Sequence, residues 1–515
     1  MRSSVTILSL LFLLTLASGC ASINFDYPRS ESVTYTNTDE TYLGERVALL
    51  ADGRPEEQSG FSLLSDGVDS LAMRLLLAQR AERSIDLQYY VMHIDVTGSA
   101  LLRNLLAAAD RGVRVRLILD DFYADGYDAG LAGLNAHPNI EVRIFNPFYR
   151  GFAGRLRSTT TDFGRVNRRM HNKSFIVDNQ VAVIGGRNIG DEYFDARKDE
   201  KFTDLDALAI GPVVNDLSRM FDTYWNHETA LPVLAFADMP DDPEAELARL
   251  RAKFEQSRKD ILDTSYAGAV RGQVLDYIET DAPAFTWASY MLVYDEPDIG
   301  VKSKAKEAKS IRTPLADSLE SAQTELIIVS PYFVPSKSGV ERFEMLRESA
   351  VQVTVVTNSL ASTNQWLVHS GYARTRKSLL ESGVGIYEVR PDRDQSELGV
   401  VSETDALVTM HTKAFVVDRE VLFLGSFNFD PRSAYLNTES GVIIESEELA
   451  SKFARIIDDA LSDRTYEVFL NDKGKLRWRA KEGDEEIIYT KEPETSWGQR
   501  FKIGLARLLP IRSQL

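Results

Sequence analysis

His171 and Lys173 stand two apart, and the same pair returns 240 positions later as His411 and Lys413. An Asp follows each pair, Asp178 and Asp418, and a glycine-bearing loop then delivers an Asn. The loops are Gly185-Gly186-Arg187-Asn188 and Gly425-Ser426-Phe427-Asn428, so both copies read H-x-K-x4-D-x6-G-[GS]-x-N. Four fixed positions beyond the histidine, each met at about one in 20, make a copy about a one-in-10⁵ event per histidine. Two of the six histidines satisfy it, which marks a duplication. Residues at i and i+2 of a strand share a face, so each copy presents an imidazole beside an ammonium. Imidazole serves near neutrality as nucleophile, base or acid. The lysine charge, the Asn amide and the Ser426 hydroxyl suit phosphate oxygens.

The elements that carry these residues repeat as well. Ile85-Asp86-Leu87-Gln88-Tyr89-Tyr90 corresponds to Glu325-Leu326-Ile327-Ile328-Val329-Ser330, and residues 113–119 correspond to 351–357. Between the first two strands Leu101, Leu102, Leu105, Leu106 and Ala109 keep helical spacing. Each half therefore reads as strand, helix, strand, a loop-rich stretch and then the motif strand, which predicts an α/β fold with a parallel or mixed sheet under helices. The segments are 1–19, 20–60, a first domain 61–227, a linker with insertion 228–312, a second domain 313–465 and an extension 466–515.

Composition narrows the function classes. The 515 residues carry a formal charge of −18, a poor basis for general nucleic-acid binding, which draws on Lys and Arg contacts to phosphate. One cysteine allows no internal disulfide and no thiolate cluster. No phosphate-cradling G-x-x-x-x-G-K-[ST] loop is found, since Asp191 follows Gly185–Gly190 where Lys is required. Asp120, Asp121, Asp125 and Asp128 read as a polar loop at a strand end, not a metal site, because carboxylates repel the phosphate this site must bind. Val5 to Ala17 is a 13-residue apolar run, too short to span a bilayer, which takes about 20, and suited to a signal peptide. It ends in Leu16-Ala17-Ser18-Gly19-Cys20. This resembles a bacterial lipobox with Ala17 in the usual Leu position, and implies a lipid-anchored lipoprotein with Cys20 as the modified residue. Ala21 lacks the acidic signal for inner-membrane retention, so the resemblance favours a periplasm-facing protein of the outer membrane. At the other end Trp497, Phe501, Leu505 and Leu508 keep helical spacing after a capping Ser496, with Arg500, Lys502, Arg507 and Arg512 and no acid. Such a helix suits an anionic membrane surface or a docked position on the body.

The duplicated H-x-K-x4-D signature resembles that of the phospholipase D superfamily over roughly residues 60–465. The resemblance implies two α-β-α domains about a pseudo-twofold, sharing one site that needs no cofactor or metal. It further implies a phosphohistidine on one His, with the other as general acid and then base. Lys173, Lys413, Asn188, Asn428 and Ser426 would hold the phosphate, and Asp178 and Asp418 would be mainly structural. A downstream acid orients each histidine; Glu439, taken with His411, and Asp204, with Asp206 as competitor, are the candidates. His93 and His369 lie near strand ends, and packing is the commoner reason for such residues. His171 is expected to attack phosphorus and His411 to protonate the leaving group, since Glu439 would hold an imidazolium at His411 and Gly185-Gly186 would leave room for phosphate beside His171.

Among such enzymes the chain most resembles bacterial cardiolipin synthases of the C type, through Asp86-Leu87-Gln88-Tyr89-Tyr90, Thr203-Asp204-Leu205-Asp206 and Val368-His369-Ser370-Gly371-Tyr372. That implies transfer of a phosphatidyl group from a phospholipid donor to phosphatidylglycerol, at a membrane surface and without nucleic acid. Phosphatidylethanolamine is a further candidate donor, and the resemblance leaves room for an accessory protein. Hydrolysis of phospholipids to phosphatidic acid is the alternative, and a binding protein with a vestigial site is the third reading.

Overall fold

Each half lays three parallel strands beside a set of antiparallel ones. The computed structural model describes residues 23–507 except 125, 281–282, 302–303, 307, 392–406 and 484. The first sheet runs β9 (Ala230–Pro232), β4 (Ile140–Phe145), β3 (Arg114–Asp120), β2 (Ser84–Tyr89), β5 (Ser174–Val177), β6 (Val181–Gly185), β8 (Asp206–Ile210) and β1 (Ser59–Leu64). The second runs β18 (Thr465–Leu470), β13 (Gly385–Val389), β12 (Gln352–Asn358), β11 (Glu325–Val329), β15 (Ala414–Val417), β16 (Val421–Gly425), β17 (Ser440–Glu445) and β10 (Thr286–Tyr294). Two further strands, β19 (Leu476–Glu482) and β20 (Glu485–Tyr489), extend it beyond β18. β1 pairs antiparallel with β10, so the halves join edge to edge about the pseudo-twofold. A separate two-stranded ribbon pairs β7 (Glu200–Thr203) with β14 (Leu407–Met410), one strand from each half.

The motif strands are apolar on both faces because both faces are covered. Phe175 and Val177 point into the outer core of the first half, and Phe415 and Val417 into that of the second. Ile176 and Val416 point into one inner core that both halves share. Helices Pro212–Trp225 and Glu447–Asp463 fill that inner core with Leu217, Phe221, Trp225, Phe453 and Ile457.

The segment taken as a linker is differently employed. β9 completes the first sheet beside β4, and helices Pro243–Ile261 and Ser265–Thr280 pack on the first half. β10, expected within that linker, is the first strand of the second half and the counterpart of β1. The C-terminal extension continues the second sheet through β18–β20.

The Asp of each motif clamps the start of a neighbouring strand. Asp178 has a φ of 51° and accepts hydrogen bonds from the backbone amides of Glu82 (3.0 Å), Arg83 (2.8 Å) and Ser84 (2.9 Å), ahead of β2. Asp418, also at 51°, does the same for Gln323, Thr324 and Glu325 ahead of β11. Asp178 is fully buried, whereas Asp418 is partly open to water. Asp178→Ala should therefore lower the unfolding free energy by roughly 2–4 kcal/mol and Asp418→Ala by about half that, because water replaces the lost acceptor only at the second site. Urea denaturation of the two variants checks the order; a larger loss at Asp418 would overturn it.

Candidate active site

The strand before each H-x-K crosses to the other half. Met170 bridges to Thr438, the His171 amide donates to the Thr438 carbonyl (2.9 Å), and the Thr438 amide to that of Arg169 (2.8 Å). In the ribbon Met410 lies opposite Thr203, and the His411 amide donates to the Thr203 carbonyl (2.7 Å). Each histidine thus lies in register with the residue that follows Thr438 or Thr203 in the other half. Those residues are Glu439 and Asp204. His171 Nδ1 is 2.8 Å from Glu439 Oε2, and His411 Nδ1 is 2.6 Å from Asp204 Oδ2.

This corrects the pairing expected from sequence: Glu439 serves His171, not His411, and Asp204 serves His411. A carboxylate a few turns downstream in the same chain is not the near one, because the pseudo-twofold brings the opposite half's strand end alongside. Asp206 plays no part in orienting a histidine. It is buried against Arg74 (2.9 Å) and accepts from the Ser70 hydroxyl and the Arg187 amide.

The Gly-rich loop also differs from expectation. A Cβ on Gly186 would meet Asp204 Oδ1 at 2.2 Å, and one on Gly185 would meet Asp206 Oδ1 at 2.2 Å. The two glycines make room for carboxylates, not for phosphate. At the equivalent position Ser426 donates to Glu439 Oε2 (2.5 Å) and accepts from the Ser440 amide (2.9 Å). Its hydroxyl is thereby engaged in holding the carboxylate and is not free for phosphate. Asn188 accepts from the Val91 amide (3.2 Å) and donates to the Tyr193 hydroxyl (2.9 Å). Asn428 keeps its side-chain oxygen without a hydrogen-bond partner among the described residues, although it is buried. That atom is an acceptor with no hydrogen to give a phosphate oxygen, so any hold on phosphate falls to the Asn428 NH2 group.

Both lysines fold back toward their own histidine. Lys173 donates to the His171 carbonyl and Lys413 to the His411 carbonyl, and Lys413 Nζ is 2.9 Å from His411 Nδ1. The four cationic or titrating groups share one field. Burial, then Lys173 and Lys413, hold the His171 imidazole well below its ordinary range. Burial, with Lys413 and more weakly Lys173, pulls His411 to about 3 against the opposing pull of Asp204. Burial also lowers Lys173 to about 7 and Lys413 to about 8. The carboxylates diverge. Burial raises Glu439 to about 7, whereas at Asp204 burial is outweighed by Lys413 and His411, which keep it below its usual range. With Nδ1–H given to a carboxylate, each imidazole keeps Nε2 as the nitrogen for substrate.

Aromatic side chains wall both rings. Tyr90 meets His171 edge-on at 5.0 Å, and Phe202 stacks on His411 at 5.6 Å with Tyr193 edge-on at 5.2 Å. The residues just ahead of the histidines are clamped by the last residue of the third strand in each half. Asp120 accepts from the Met170 amide (2.8 Å), and Asn358 accepts from the Met410 amide (3.0 Å) while donating to its carbonyl (2.8 Å). Sequence reasoning did not single out Asn358. Its position 238 residues after Asp120, the offset of the repeated third strand, is the signal that identifies it. Asp120 also binds Arg169, and Asp121 binds Arg150 and the Phe148 amide, so these carboxylates organise the loop ahead of His171. Among the described residues no group of three His, Cys, Asp or Glu side chains could hold a metal ion. His369 is buried against Tyr372 and pulled to about 4 by burial, and His93 faces Glu192 at 3.5 Å.

Two equivalent α/β halves whose H-x-K strands meet in one field of charge define a phospholipase D-like enzyme. The family described as "Cardiolipin synthase, PLD-like domain" matches residues 76–225 and 315–461. The chain belongs to that family. It is 40% identical over 474 residues to cardiolipin synthase C of Escherichia coli K12, an alignment covering 91% of this chain and 98% of that protein. Cardiolipin synthase 1 of Staphylococcus epidermidis is 23% identical, with 94% of this chain and 80% of that one covered. The crystal structure of phosphatidylserine synthase from Haemophilus influenzae shares the fold, with a TM-score of 0.56 at 11% identity over 92% of this chain and 100% of that one.

The crossed pairing is directly observable. With ¹⁵N-labelled histidine, both imidazoles should stay neutral as the pH falls through 6.5, since both are held below the ordinary value. Glu439→Gln should shift the His171 ring resonances and leave those of His411 in place, and Asp204→Asn should do the reverse. A Glu439→Gln effect confined to His411 would refute the pairing.

Proposed function

We propose that the chain makes cardiolipin by moving a phosphatidyl group from a phospholipid donor to the glycerol hydroxyl of phosphatidylglycerol. One observation carries the reading. Two imidazoles, each bound through Nδ1 to a carboxylate, share a buried site with two lysines, in a chain 40% identical to a cardiolipin synthase over most of both lengths. A depressed imidazole is unprotonated at neutral pH, which suits a nucleophile.

In this reading His171 Nε2 attacks phosphorus, the bond to the donor's headgroup oxygen breaks, and His411 gives that oxygen its proton. His411 then takes the proton of the acceptor hydroxyl, whose oxygen attacks phosphorus and frees His171. Bound phosphodiester charge lies beside the imidazoles and favours the protonated form that the acid step needs. Lys173, Lys413 and Asn428 hold the phosphate. Assigning the attack to His171 follows the order that the superfamily resemblance implies, since the crossed carboxylates remove the argument from Glu439.

The test supplies phosphatidylglycerol, alone and with phosphatidylethanolamine, to the purified full chain and identifies products by mass. Cardiolipin with the released headgroup supports the reading; phosphatidic acid alone would replace it with hydrolysis. His171→Ala and His411→Ala should each lower turnover by at least roughly 10³-fold. Lipid label trapped on the His411 peptide instead of that of His171 would reverse the roles.

Two features support work at a membrane surface. Cys20, proposed as the lipid attachment, lies outside the described residues, as do Leu508 and Arg512. Helix Trp497–Ala506 docks through Ile503 on Leu360 and Ala373, with Lys502 over the Trp366 ring at 3.8 Å. Its other face leaves Trp497, Phe501 and Leu505 more than half exposed, so the helix is docked and still offers an apolar stripe to an interface. Cys20→Ser should move the protein from the membrane to the soluble fraction of cells. In purified protein Trp497→Glu with Phe501→Glu should weaken flotation with anionic vesicles several-fold at unchanged melting temperature. Unchanged partition in both assays would remove the membrane-contact reading.

A further inference from the structure

The phosphate site is a cluster of charge, yet its proposed substrate brings long apolar chains that gain by leaving water. On the second half a cavity of about 180 Å³ opens between helices Arg312–Glu320 and Lys337–Glu348. Leu315, Leu319, Phe343, Leu346, Phe427 and Phe429 form its walls. Phe427 and Phe429 flank Asn428, so the loop that brings this side chain to the site also forms the apolar wall.

The short helix Pro431–Tyr435 joins the cavity to the histidines. Pro431, Ala434 and Tyr435 line it, while Arg432 of the same helix adds to the positive field at His171. Arg432 also donates to the Asn167 carbonyl (2.9 Å), and Arg168, three residues before His171, donates to the Tyr435 carbonyl (3.1 Å). Arg312 stands at the rim with its guanidinium 4.8 Å from the Tyr435 ring centre.

The pseudo-twofold supplies the comparison. In the first half the matching surface, over helices Gly67–Arg80 and Val96–Asp110, is covered by the chain's own helices Pro243–Ile261 and Ser265–Thr280. There the Tyr266 hydroxyl donates to the Phe194 carbonyl (2.8 Å), and Tyr277 bonds Asp69. Among the described residues no such pair of helices lies over the second half, and Met345 and Tyr435 stay more than half exposed. A smaller cavity of about 100 Å³ is lined by Asp204, Met410 and Thr412, and so reaches the carboxylate that holds His411.

We propose that the cavity between helices Arg312–Glu320 and Lys337–Glu348 receives an acyl chain of the phospholipid whose phosphate lies between His171 and His411. The proposal rests on the phosphatidyl-transfer reading and adds to it a recognition site for the lipid tail. The apolar wall passes continuously into the Asn428 loop, and Arg312 offers its charge at the mouth to an anionic headgroup region.

The test compares dioleoyl and dihexanoyl phosphatidylglycerol in detergent micelles of fixed composition. Ala316→Phe, which fills the cavity from one helix, should lower the ratio of kcat/KM for the long-chain over the short-chain lipid by about tenfold. An unchanged ratio in a variant with wild-type melting temperature would overturn the proposal. A second measurement stands apart from that variant and from turnover: wild-type protein is irradiated with phosphatidylglycerol carrying a diazirine at the acyl terminus. Adducts on residues 312–346 or 427–435 support the site. Adducts only on residues 122–127 or 497–506 refute it, as does labelling lost when the chain self-associates, which assigns the cavity to a second copy. Wild-type protein that converts neither lipid defeats the transfer reading, while the photolabel still decides the cavity.

Discussion

The crossed register between halves is the constraint on which the site depends. A backbone bridge at Met170–Thr438 and the β7–β14 ribbon place each histidine beside the other half's carboxylate. Neither half holds a complete unit, so the orientation of each imidazole depends on the inner core and the β1–β10 seam that fix the halves against each other. The stability of the interface and the competence of the site are therefore one property.

Electrostatics explains how so buried a site can hold so many ionisable groups. Two lysines and two carboxylates sit buried among Tyr90, Tyr193 and Phe202, and the carboxylates oppose the burial that lowers both lysines. The balance is not symmetric. Glu439 is pushed up while Asp204 is held down, and Lys413 contacts its imidazole directly. In the proposed transfer an anionic phosphodiester enters this field and favours a protonated imidazole, which links binding of the phosphate to the readiness of the proton donor.

Much of the catalytic framework was legible in the sequence because it repeats. The offset of 240 located both H-x-K strands, and β2 with β11 and β3 with β12 followed from the same comparison. The structural work of Asp178 and Asp418 also matches their place at tight turns. What escaped was contact between segments far apart along the chain, above all across the twofold. Spacing along the chain cannot tell that Glu439 meets His171, because 268 residues separate them while the shared core makes them neighbours. Gly186 read as space for substrate since its occupant, Asp204, comes from the link between β7 and β8. The residues 228–312 looked like a linker because the periodic apolar face of helix Pro243–Ile261 is thin, with only Leu250 and Phe254 buried.

Gly186 with Asp204 and Ser426 with Glu439 are two different solutions to one task. The first removes a side chain so that a short carboxylate fits; the second keeps a hydroxyl that fastens a longer one. A serine in the first frame would put its Cβ into the Asp204 carboxylate, so the parts are not interchangeable. Two copies of either half would reproduce one frame twice and lose the asymmetry on which the present arrangement of charge is built.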